Sequence, residues 1–170
     1  MYSMKAIQAD ITSLSVDVIV NAANTTLLGG GGVDAAIHKA AGSELLAECR
    51  SLDGCPTGEA RITGAYNLSA DWVVHTVGPV WHGGDRGEAE LLNSCYFNTL
   101  SLALAKQADS VAFPAISAGV FGYPIERSAR IAVKTCSVFQ QAHGAPKLIV
   151  FACFDERTRD IYQQLLEHFF

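Results

Sequence analysis

The run of four glycines at Gly29–Gly32, followed closely by Asp34, is the part of this sequence best suited to chemistry. Glycine lets a backbone turn sharply and approach a ligand with its N–H groups exposed. When a helix begins directly after such a turn, its free N–H groups and its dipole both favour a phosphate. An aspartate at this place repels an anion, so we expect Asp34 to take part in a reaction rather than in affinity.

A second glycine loop, Ser117–Gly122, follows the apolar run Val111–Ile116, and Pro124 suits the first turn of the next helix. Two loops of this kind can hold a diphosphate from both sides. Neither the dinucleotide fingerprint G-x-G-x-x-G nor the Walker A sequence is present. A glycine run after a strand is often only a flexible loop, so the phosphate interpretation depends on the two loops together.

Composition and charge limit the classes of function. The chain has 170 residues, of which 49% are apolar and 17% charged, and this predicts one globular domain over residues 1–170. A net charge of −5 argues against nucleic-acid binding. Neither a membrane span nor an export signal is evident, and the five scattered cysteines are typical of reduced thiols. We therefore predict a cytoplasmic monomer that binds neither membranes nor nucleic acids.

Strands and helices alternate along the chain. Apolar runs predict six strands, at Ala6–Asp10, Val16–Asn21, Glu59–Gly64, Trp72–Val77, Ser110–Pro114 and Lys147–Phe151. Helical periodicity predicts five helices, at Val33–Ala41, Ser43–Arg50, Gly87–Gln107, Ile125–Ala142 and Glu156–Phe169. Continuous apolar strands imply burial on both faces. The pattern predicts an α/β fold, a three-layer α/β/α sandwich around a mixed, largely parallel six-stranded sheet.

Ligands of such sheets bind at the carboxyl ends of the strands, and both glycine loops leave the sheet there. Asn21 and Asn24 end the strand that leads to Asp34. An amide side chain both donates and accepts hydrogen bonds, which suits the vicinal hydroxyls of a sugar. Both glycine loops could therefore face one crevice, with the two asparagines beside it.

The histidines and cysteines predict no second chemistry. His75 lies in an apolar strand without a nucleophile elbow, so we expect a hydrogen-bonded core histidine. His38 lies one turn after Asp34 on the same helix face and can touch it, although such a histidine more often packs. No metal-ligand spacing such as H-E-x-x-H or paired cysteines appears. We therefore predict neither a metal nor a cofactor.

Six segments, in order and over nearly the whole chain, resemble the macrodomain family. They are Asp10–Thr12, Asn21–Asn24, Gly29–Asp34, Ala35–His38, His75–Pro79 and Pro114–Pro124. Each motif is weak alone, but together they are specific. The match is to the MacroD-type class, which includes bacterial O-acetyl-ADP-ribose deacetylases. The Cys/His signature of the zinc-containing macrodomains is not found, in agreement with the prediction of no metal.

The resemblance implies ADP-ribose as the ligand and assigns the adenine end. Asp10 would accept a hydrogen bond from the adenine amino group, with the backbone of Ile11 nearby, and Phe154 would flank the base. Base–aromatic stacking is worth about 1–3 kcal/mol. From the residues alone, Asp10 is better explained as a turn or cap residue helped by Thr12, and it is the resemblance that favours the ligand role.

At the other end of the ligand, the resemblance assigns catalysis to Asn24 and Asp34, beside the distal ribose. Phe121 would pack against that ribose, and Asn21 would be a secondary contact. The diphosphate would be bound by residues of the two loops: Gly30, Gly31, Gly32, Val33, Ser117, Ala118, Gly119 and Val120.

The resemblance further implies metal-independent hydrolysis of ADP-ribose esters. Substrates would be O-acetyl-ADP-ribose and mono-ADP-ribosylated proteins modified on Glu or Asp side chains. Asp34 would orient or deprotonate the water; alternatively, a phosphate of the ligand activates the water and Asp34 positions the ribose. Two other functions use the same pocket: a non-catalytic reader of ADP-ribose and a phosphatase acting on ADP-ribose 1″-phosphate.

Overall fold

The computed structural model describes residues 1–169, in which six strands and five helices alternate. The strands are β1 Ser3–Gln8, β2 Val18–Ala22, β3 Ala60–Gly64, β4 Trp72–Thr76, β5 Ser110–Phe113 and β6 Leu148–Cys153. The helices are α1 Gly32–Ala41, α2 Ser43–Ser51, α3 Glu88–Ala105, α4 Ile125–His143 and α5 Glu156–Phe169, with a short 3-10 helix at Ile11–Ser13.

The strands form one sheet in the order β1-β6-β5-β2-β4-β3. Every neighbouring pair is parallel except β3 and β4, which are antiparallel. The predicted mixed, largely parallel six-stranded sheet is confirmed. The apolar strands β2, β5 and β6 lie in its interior, as their continuous hydrophobic runs require.

Each face of the sheet carries its own apolar core. On one face α3, α4 and α5 pack over large side chains that include Tyr96, Phe113, Phe151 and Tyr162. On the other, α1, α2 and the 3-10 helix cover a second core that includes Ile19. The three-layer α/β/α architecture is thereby confirmed. None of the helices within residues 1–169 combines the length and the apolarity of a membrane span.

Two strand boundaries differ from the sequence prediction. The first strand lies at Ser3–Gln8 rather than Ala6–Asp10, because it pairs with β6 from Ser3 opposite Leu148 to Gln8 opposite Cys153. Asp10 falls outside the strand and caps the 3-10 helix instead. The second strand begins at Val18 rather than Val16. The other boundaries agree to within one or two residues.

The later start of β2 has a local cause in the side chain of Asp17. Its Oδ2 accepts hydrogen bonds from the backbone N–H groups of Asp109, at 2.7 Å, and Ser110, at 3.2 Å. Its backbone N–H donates to Ser110 Oγ at 2.9 Å. Asp17 therefore links the N-terminal end of β2 to the N-terminal end of β5, and regular pairing of the two strands begins at Val18.

Candidate active site

Four neighbouring parallel strands, β1, β6, β5 and β2, end at the same edge of the sheet. Asp10 follows the first of these strands and Phe154 the second. The loop Ser117–Gly122 follows β5, and Asn24 with the glycine run follows β2. The residues expected to contact adenine thus follow β1 and β6, and those expected to contact the diphosphate and the distal ribose follow β5 and β2.

Asp34, which follows the first glycine loop, has a buried carboxylate. It lies in the first turn of α1 and only 3% of its surface is exposed. Asn21 Nδ2 donates to Asp34 Oδ1 at 2.9 Å, and His38 Nε2 lies 3.3 Å from the same oxygen. The contact between His38 and Asp34 that their spacing on the helix allows is present. One oxygen of the carboxylate is therefore held by the protein.

The other oxygen of Asp34 faces the glycine run. A Cβ atom on Gly30 would lie 3.2 Å from Asp34 Oδ2 and 3.3 Å from Asn24 Nδ2. The structure therefore brings Asn24 and Asp34 together on either side of Gly30. Because Gly30 has no side chain, Asp34 Oδ2 can face a small molecule or a water in this space.

The side chain of Asn24 is fixed by its own loop. Its Nδ2 donates to the carbonyl oxygen of Gly29 at 2.9 Å. Its Oδ1 accepts from the backbone N–H of Thr26 at 3.1 Å and from the Thr26 hydroxyl at 2.6 Å.

The glycine run leads directly into α1. Gly31 is the N-cap of this helix, and Gly32 has a φ of +58°, which favours glycine. The first N–H groups of α1 have no intrahelical partner and suit an anion.

Behind Asp34 lies a chain of fully buried polar groups. Asn21 Nδ2 lies 3.1 Å from His75 Nδ1, and Thr63 Oγ1 lies 2.9 Å from His75 Nε2. Burial, with a smaller effect of His38, lowers the pKa of His75 to about 3, so its ring is neutral near pH 7. The prediction of a hydrogen-bonded core histidine is confirmed.

Two features of this chain differ from sequence expectation. Asn21 was expected to be a secondary ligand contact, but it is completely buried and its amide is bonded to Asp34 and faces His75. Its place is therefore behind the reactive carboxylate. Thr63 was not singled out, because its proximity to His75 depends on the antiparallel register in which Thr63 is opposite Val73. Hairpin register of this kind has no marker in the sequence.

The second glycine loop is shaped around Ser117. This residue has a φ of +65°, which is unusual for a side chain other than glycine, and its carbonyl oxygen accepts from Tyr123 N at 2.9 Å. Its Oγ is buried and has no hydrogen-bond partner within the part of the chain that the structure describes. A strained backbone and an unpaired hydroxyl together favour a ligand site at this loop.

Gly78 allows this loop to approach the sheet and was missed by the sequence analysis as a site residue. A Cβ atom on Gly78 would collide with Ser117 Oγ and would lie 2.7 Å from Ile116 Cγ2. A residue whose importance lies in the absent side chain can be recognised only when the facing loop is known.

The remaining loop residues differ widely in exposure. In the glycine run, Gly30, Gly31 and Gly32 are exposed and Val33 is half-buried. In the second loop, Ala118 and Phe121 are half-buried, whereas Gly119 and Val120 are exposed. The backbone of both loops is therefore accessible to a ligand along much of its length.

At the expected adenine end, Asp10 Oδ1 accepts from the backbone N–H of Thr12 at 2.9 Å and from its hydroxyl at 2.7 Å. These bonds lower the pKa of Asp10. The cap interpretation of Asp10 is confirmed, and its second oxygen accepts no hydrogen bond from residues 1–169. The next residue, Ile11, is buried, whereas Phe154 is 95% exposed, so its ring is accessible for stacking with a flat ring.

A second buried carboxylate, Glu88, shapes the loop beside Ser117–Gly122. Glu88 accepts hydrogen bonds from the backbone N–H groups of His82 at 2.9 Å, Gly84 at 3.0 Å and Arg86 at 2.6 Å. Trp81, at the start of this loop, donates its backbone N–H to Phe121 O at 2.8 Å. Glu88 therefore supports the second glycine loop indirectly, a role that the sequence analysis missed.

The sequence of this chain closely resembles those of several known proteins. The sequence model of the Macro domain matches residues 20–132. A macro domain-containing protein of Chlorobaculum tepidum is 58% identical over 161 residues, which cover 95% of this chain and 94% of that protein. The chain therefore belongs to the macrodomain family. The O-acetyl-ADP-ribose deacetylase of Klebsiella pneumoniae is 55% identical to this macrodomain over 166 residues, which cover 95% of both chains.

Solved structures resemble this macrodomain over almost its entire length. The Oceanobacillus iheyensis macrodomain with ADP superposes with a TM-score of 0.95 at 43% identity, over 99% of this chain and 92% of that one. The Trypanosoma brucei macrodomain in complex with ADP-ribose has a TM-score of 0.90 at 44% identity. That match covers 95% of this macrodomain and 68% of the trypanosome chain.

Proposed function

We propose that this macrodomain binds ADP-ribose and hydrolyses its O-acetyl ester without a metal. The observation that carries the proposal is the arrangement at Gly30: a buried carboxylate with one oxygen held by Asn21 and the other facing the loop of Asn24. Two relatives support this choice of substrate. One is the 55% identical O-acetyl-ADP-ribose deacetylase, and the other is the similar trypanosome macrodomain in complex with ADP-ribose.

The ligand would lie along the carboxyl edge of the sheet. Adenine would lie between Asp10 and Phe154, with Ile11 beneath, and the diphosphate would lie between the two glycine loops. The loops carry no lysine or arginine, so backbone N–H groups, that of Ser117 included, would bind the phosphate oxygens. Phe121 would pack against the distal ribose and Asn24 would orient its hydroxyls.

In the reaction, a water beside Gly30 would attack the ester. Asp34 Oδ2 would accept a proton from that water or hold it by a hydrogen bond. Attack at the acyl carbon breaks the acyl–oxygen bond, and the ribose oxygen leaves with a proton to give ADP-ribose and acetate. When the acyl group is on the anomeric oxygen, attack at the anomeric carbon would instead break the bond from that carbon to the ester oxygen, so that acetate leaves and the oxygen of water remains on the ribose.

We further propose that the same site removes mono-ADP-ribose from glutamate and aspartate side chains of proteins. Such a modification is an ester between a carboxylate and a ribose hydroxyl, so its cleavage needs the same water and the same carboxylate. The groove that holds ADP-ribose would leave the modified side chain at the Asn24 and Asp34 end. We propose that the protein works as a monomer built from this one domain.

Incubation with O-acetyl-ADP-ribose, and separately with ADP-ribose 1″-phosphate, tests the proposal. We expect acetate release from the first compound and little phosphate release from the second. Heavy-oxygen water identifies the attacked atom, because the label enters acetate after acyl attack and ribose after anomeric attack. Calorimetry with ADP-ribose that shows tight binding, beside no turnover of either compound, would establish a reader and overturn the enzyme.

A further inference from the structure

The polar chain behind Asp34 has only one arrangement of its protons. The carboxylate of Asp34 can only accept, so Asn21 presents its Nδ2 to Asp34 Oδ1 at 2.9 Å, and the same Nδ2 faces His75 Nδ1 at 3.1 Å. His75 must carry its proton on Nε2, and its Nδ1 is an acceptor. Thr63 Oγ1, 2.9 Å from His75 Nε2, then accepts from that nitrogen and donates its own proton to the carbonyl oxygen of Gly64 at 3.0 Å.

The tautomer of His75 determines how the next group is turned. An accepting Nδ1 needs a donor opposite it, and Asn21 Nδ2 lies there at 3.1 Å. An amide nitrogen has two protons, so the same Nδ2 also donates to Asp34 Oδ1 at 2.9 Å. The donors and acceptors of Asp34, Asn21, His75 and Thr63 therefore all match, and the Thr63 oxygen is the acceptor that the Nε2–H tautomer needs.

We propose that His75, oriented by Thr63, is a positioning residue that fixes the Asn21 amide and thereby aims Asp34 at the reacting centre. This inference rests on the catalytic role proposed for Asp34 above. If His75 carried its proton on Nδ1, Asn21 would turn its Oδ1 towards that proton. Its Nδ2 would then leave Asp34, and an oxygen would face the carboxylate.

The titratable groups around His75 leave its ring neutral. The titratable groups that face it are Cys49, whose Sγ lies 3.8 Å from Nε2, His38, at 6.4 Å between ring centroids, and Asp34 beyond Asn21. Burial, followed by the charges of Asp34 and Glu48, raises the pKa of Cys49 to about 11, so it is a neutral thiol. The low pKa of His75 excludes a doubly protonated ring near neutral pH.

Thr63 offers a matched pair of substitutions that do not touch Asp34. Thr63→Val keeps the shape of the side chain but removes the oxygen that accepts from Nε2–H. Thr63→Ser keeps that oxygen and removes a methyl group. We expect Thr63→Val to lower kcat about 10- to 100-fold with KM little changed, because small misplacements of a catalytic group have costs of this size. We expect Thr63→Ser to stay within about twofold of the unaltered protein, because the acceptor is retained.

If Thr63 served only in packing, the two substitutions would rank in the opposite order. Valine would then fill the buried site well, and serine would leave a small cavity, so Thr63→Ser would be the weaker protein. Nitrogen NMR of the His75 ring adds a readout independent of turnover. We expect an Nε2–H tautomer in the unaltered protein and in Thr63→Ser, and a changed tautomer population in Thr63→Val.

The outcomes separate this inference from the proposed function. Unchanged kcat in a folded Thr63→Val protein, beside an inactive Asp34→Ala protein, would overturn the positioning role and leave the proposed function intact. No hydrolysis of O-acetyl-ADP-ribose by the unaltered protein would overturn the proposed function. The nitrogen NMR measurement tests the arrangement of protons even if no hydrolysis is found. An Nδ1–H tautomer of His75 in the unaltered protein would overturn that arrangement, and an Nε2–H tautomer would support it.

Discussion

Asp34 and Glu88 are both nearly fully buried carboxylates at the beginning of a helix, yet their oxygens are used differently. Glu88 Oε2 accepts from His82 N and Gly84 N, and its Oε1 accepts from Arg86 N. For Asp34, Asn21 donates to Oδ1, whereas Oδ2 accepts no hydrogen bond from any residue that the structure describes.

The difference separates a structural carboxylate from a reactive one. Glu88 gives both oxygens to backbone N–H groups, so it holds the loop and has little capacity left for a substrate. Asp34 is held through one oxygen and keeps the second for a water or a ribose hydroxyl. Burial and position at a helix N-terminus are shared, so neither alone indicates catalysis.

Replacing each carboxylate by its amide should produce the largest contrast. Asp34→Asn should reduce hydrolysis of O-acetyl-ADP-ribose by about 10²- to 10⁴-fold, because an amide cannot accept the proton of water. Glu88→Gln should keep most of the activity. Steady-state kinetics on both variants measure this, with calorimetry to confirm that ADP-ribose still binds. Full turnover by an Asp34→Asn protein that binds ADP-ribose would contradict the assignment.

Thermal stability should be affected in the reverse order, more by Glu88→Gln than by Asp34→Asn. In Glu88→Gln an NH₂ group would meet backbone N–H groups, so we expect the melting temperature to fall by several degrees. Asp34→Asn should change it little. Backbone hydrogen bonds, that from His82 first, lower the pKa of Glu88 to about 2 from an ordinary 4.5. The stability that they give is complete above pH 4.5 and is lost as the pH falls towards 2.

Acid titration of the two amide variants extends this test. Glu88→Gln should lack the part of the acid destabilisation that lies between pH 4.5 and 2, whereas Asp34→Asn should retain it. Identical acid profiles for Glu88→Gln and the unaltered protein would contradict the structural role given to Glu88.

A smaller effect is expected where the space beside Asp34 is narrowed. Gly30→Ala would put a methyl group 3.2 Å from Asp34 Oδ2 and 3.3 Å from Asn24 Nδ2, so both side chains must shift by a few tenths of an ångström. We expect kcat to fall roughly tenfold, because a catalytic group misplaced by less than an ångström loses part of its effect. The melting temperature should be preserved, because Gly30 is exposed and lies outside the positive-φ region.

Gly64→Ala is a suitable control for that substitution. Its Cβ would meet Glu48 Oε1 and the Tyr66 ring at ordinary distances of 3.6 Å, in β3 rather than in a loop of the site. We expect its kinetic constants to match those of the unaltered protein. Equal kcat values in Gly30→Ala and Gly64→Ala would show that the gap beside Asp34 is not used.

Sequence patterns predicted the fold and the loops but not the second layer of the site. Alternating apolar segments placed nearly every helix and strand, because periodicity records which faces are buried. Glycine runs and Asp34 were visible because their chemistry is local. Glu88 looked like an ordinary helix residue, and its three backbone donors became apparent only with the conformation of the loop. Thr63 and Gly78 depend on strand register and on a facing loop, which no local pattern encodes.

The smallest expected effect concerns His75, which lies behind the reactive carboxylate. Burial and His38 lower its pKa from an ordinary 6.5 to about 3. Between these values the unfolded chain binds a proton on His75 that the folded chain does not bind, so stability falls as the pH is lowered through this range. The slope from one such proton is roughly 1 kcal/mol per pH unit.

A His75→Gln protein tests this slope directly, because glutamine does not titrate. Denaturant unfolding between pH 6.5 and pH 4.5, above the window of Glu88, should give a clear decline for the unaltered protein and a flatter profile for His75→Gln. Glu88→Gln should decline like the unaltered protein in this range, which separates the two buried groups. Equal slopes in the unaltered and His75→Gln proteins would mean that His75 accepts a proton in the folded state. It would then not be the neutral partner that Asn21 requires.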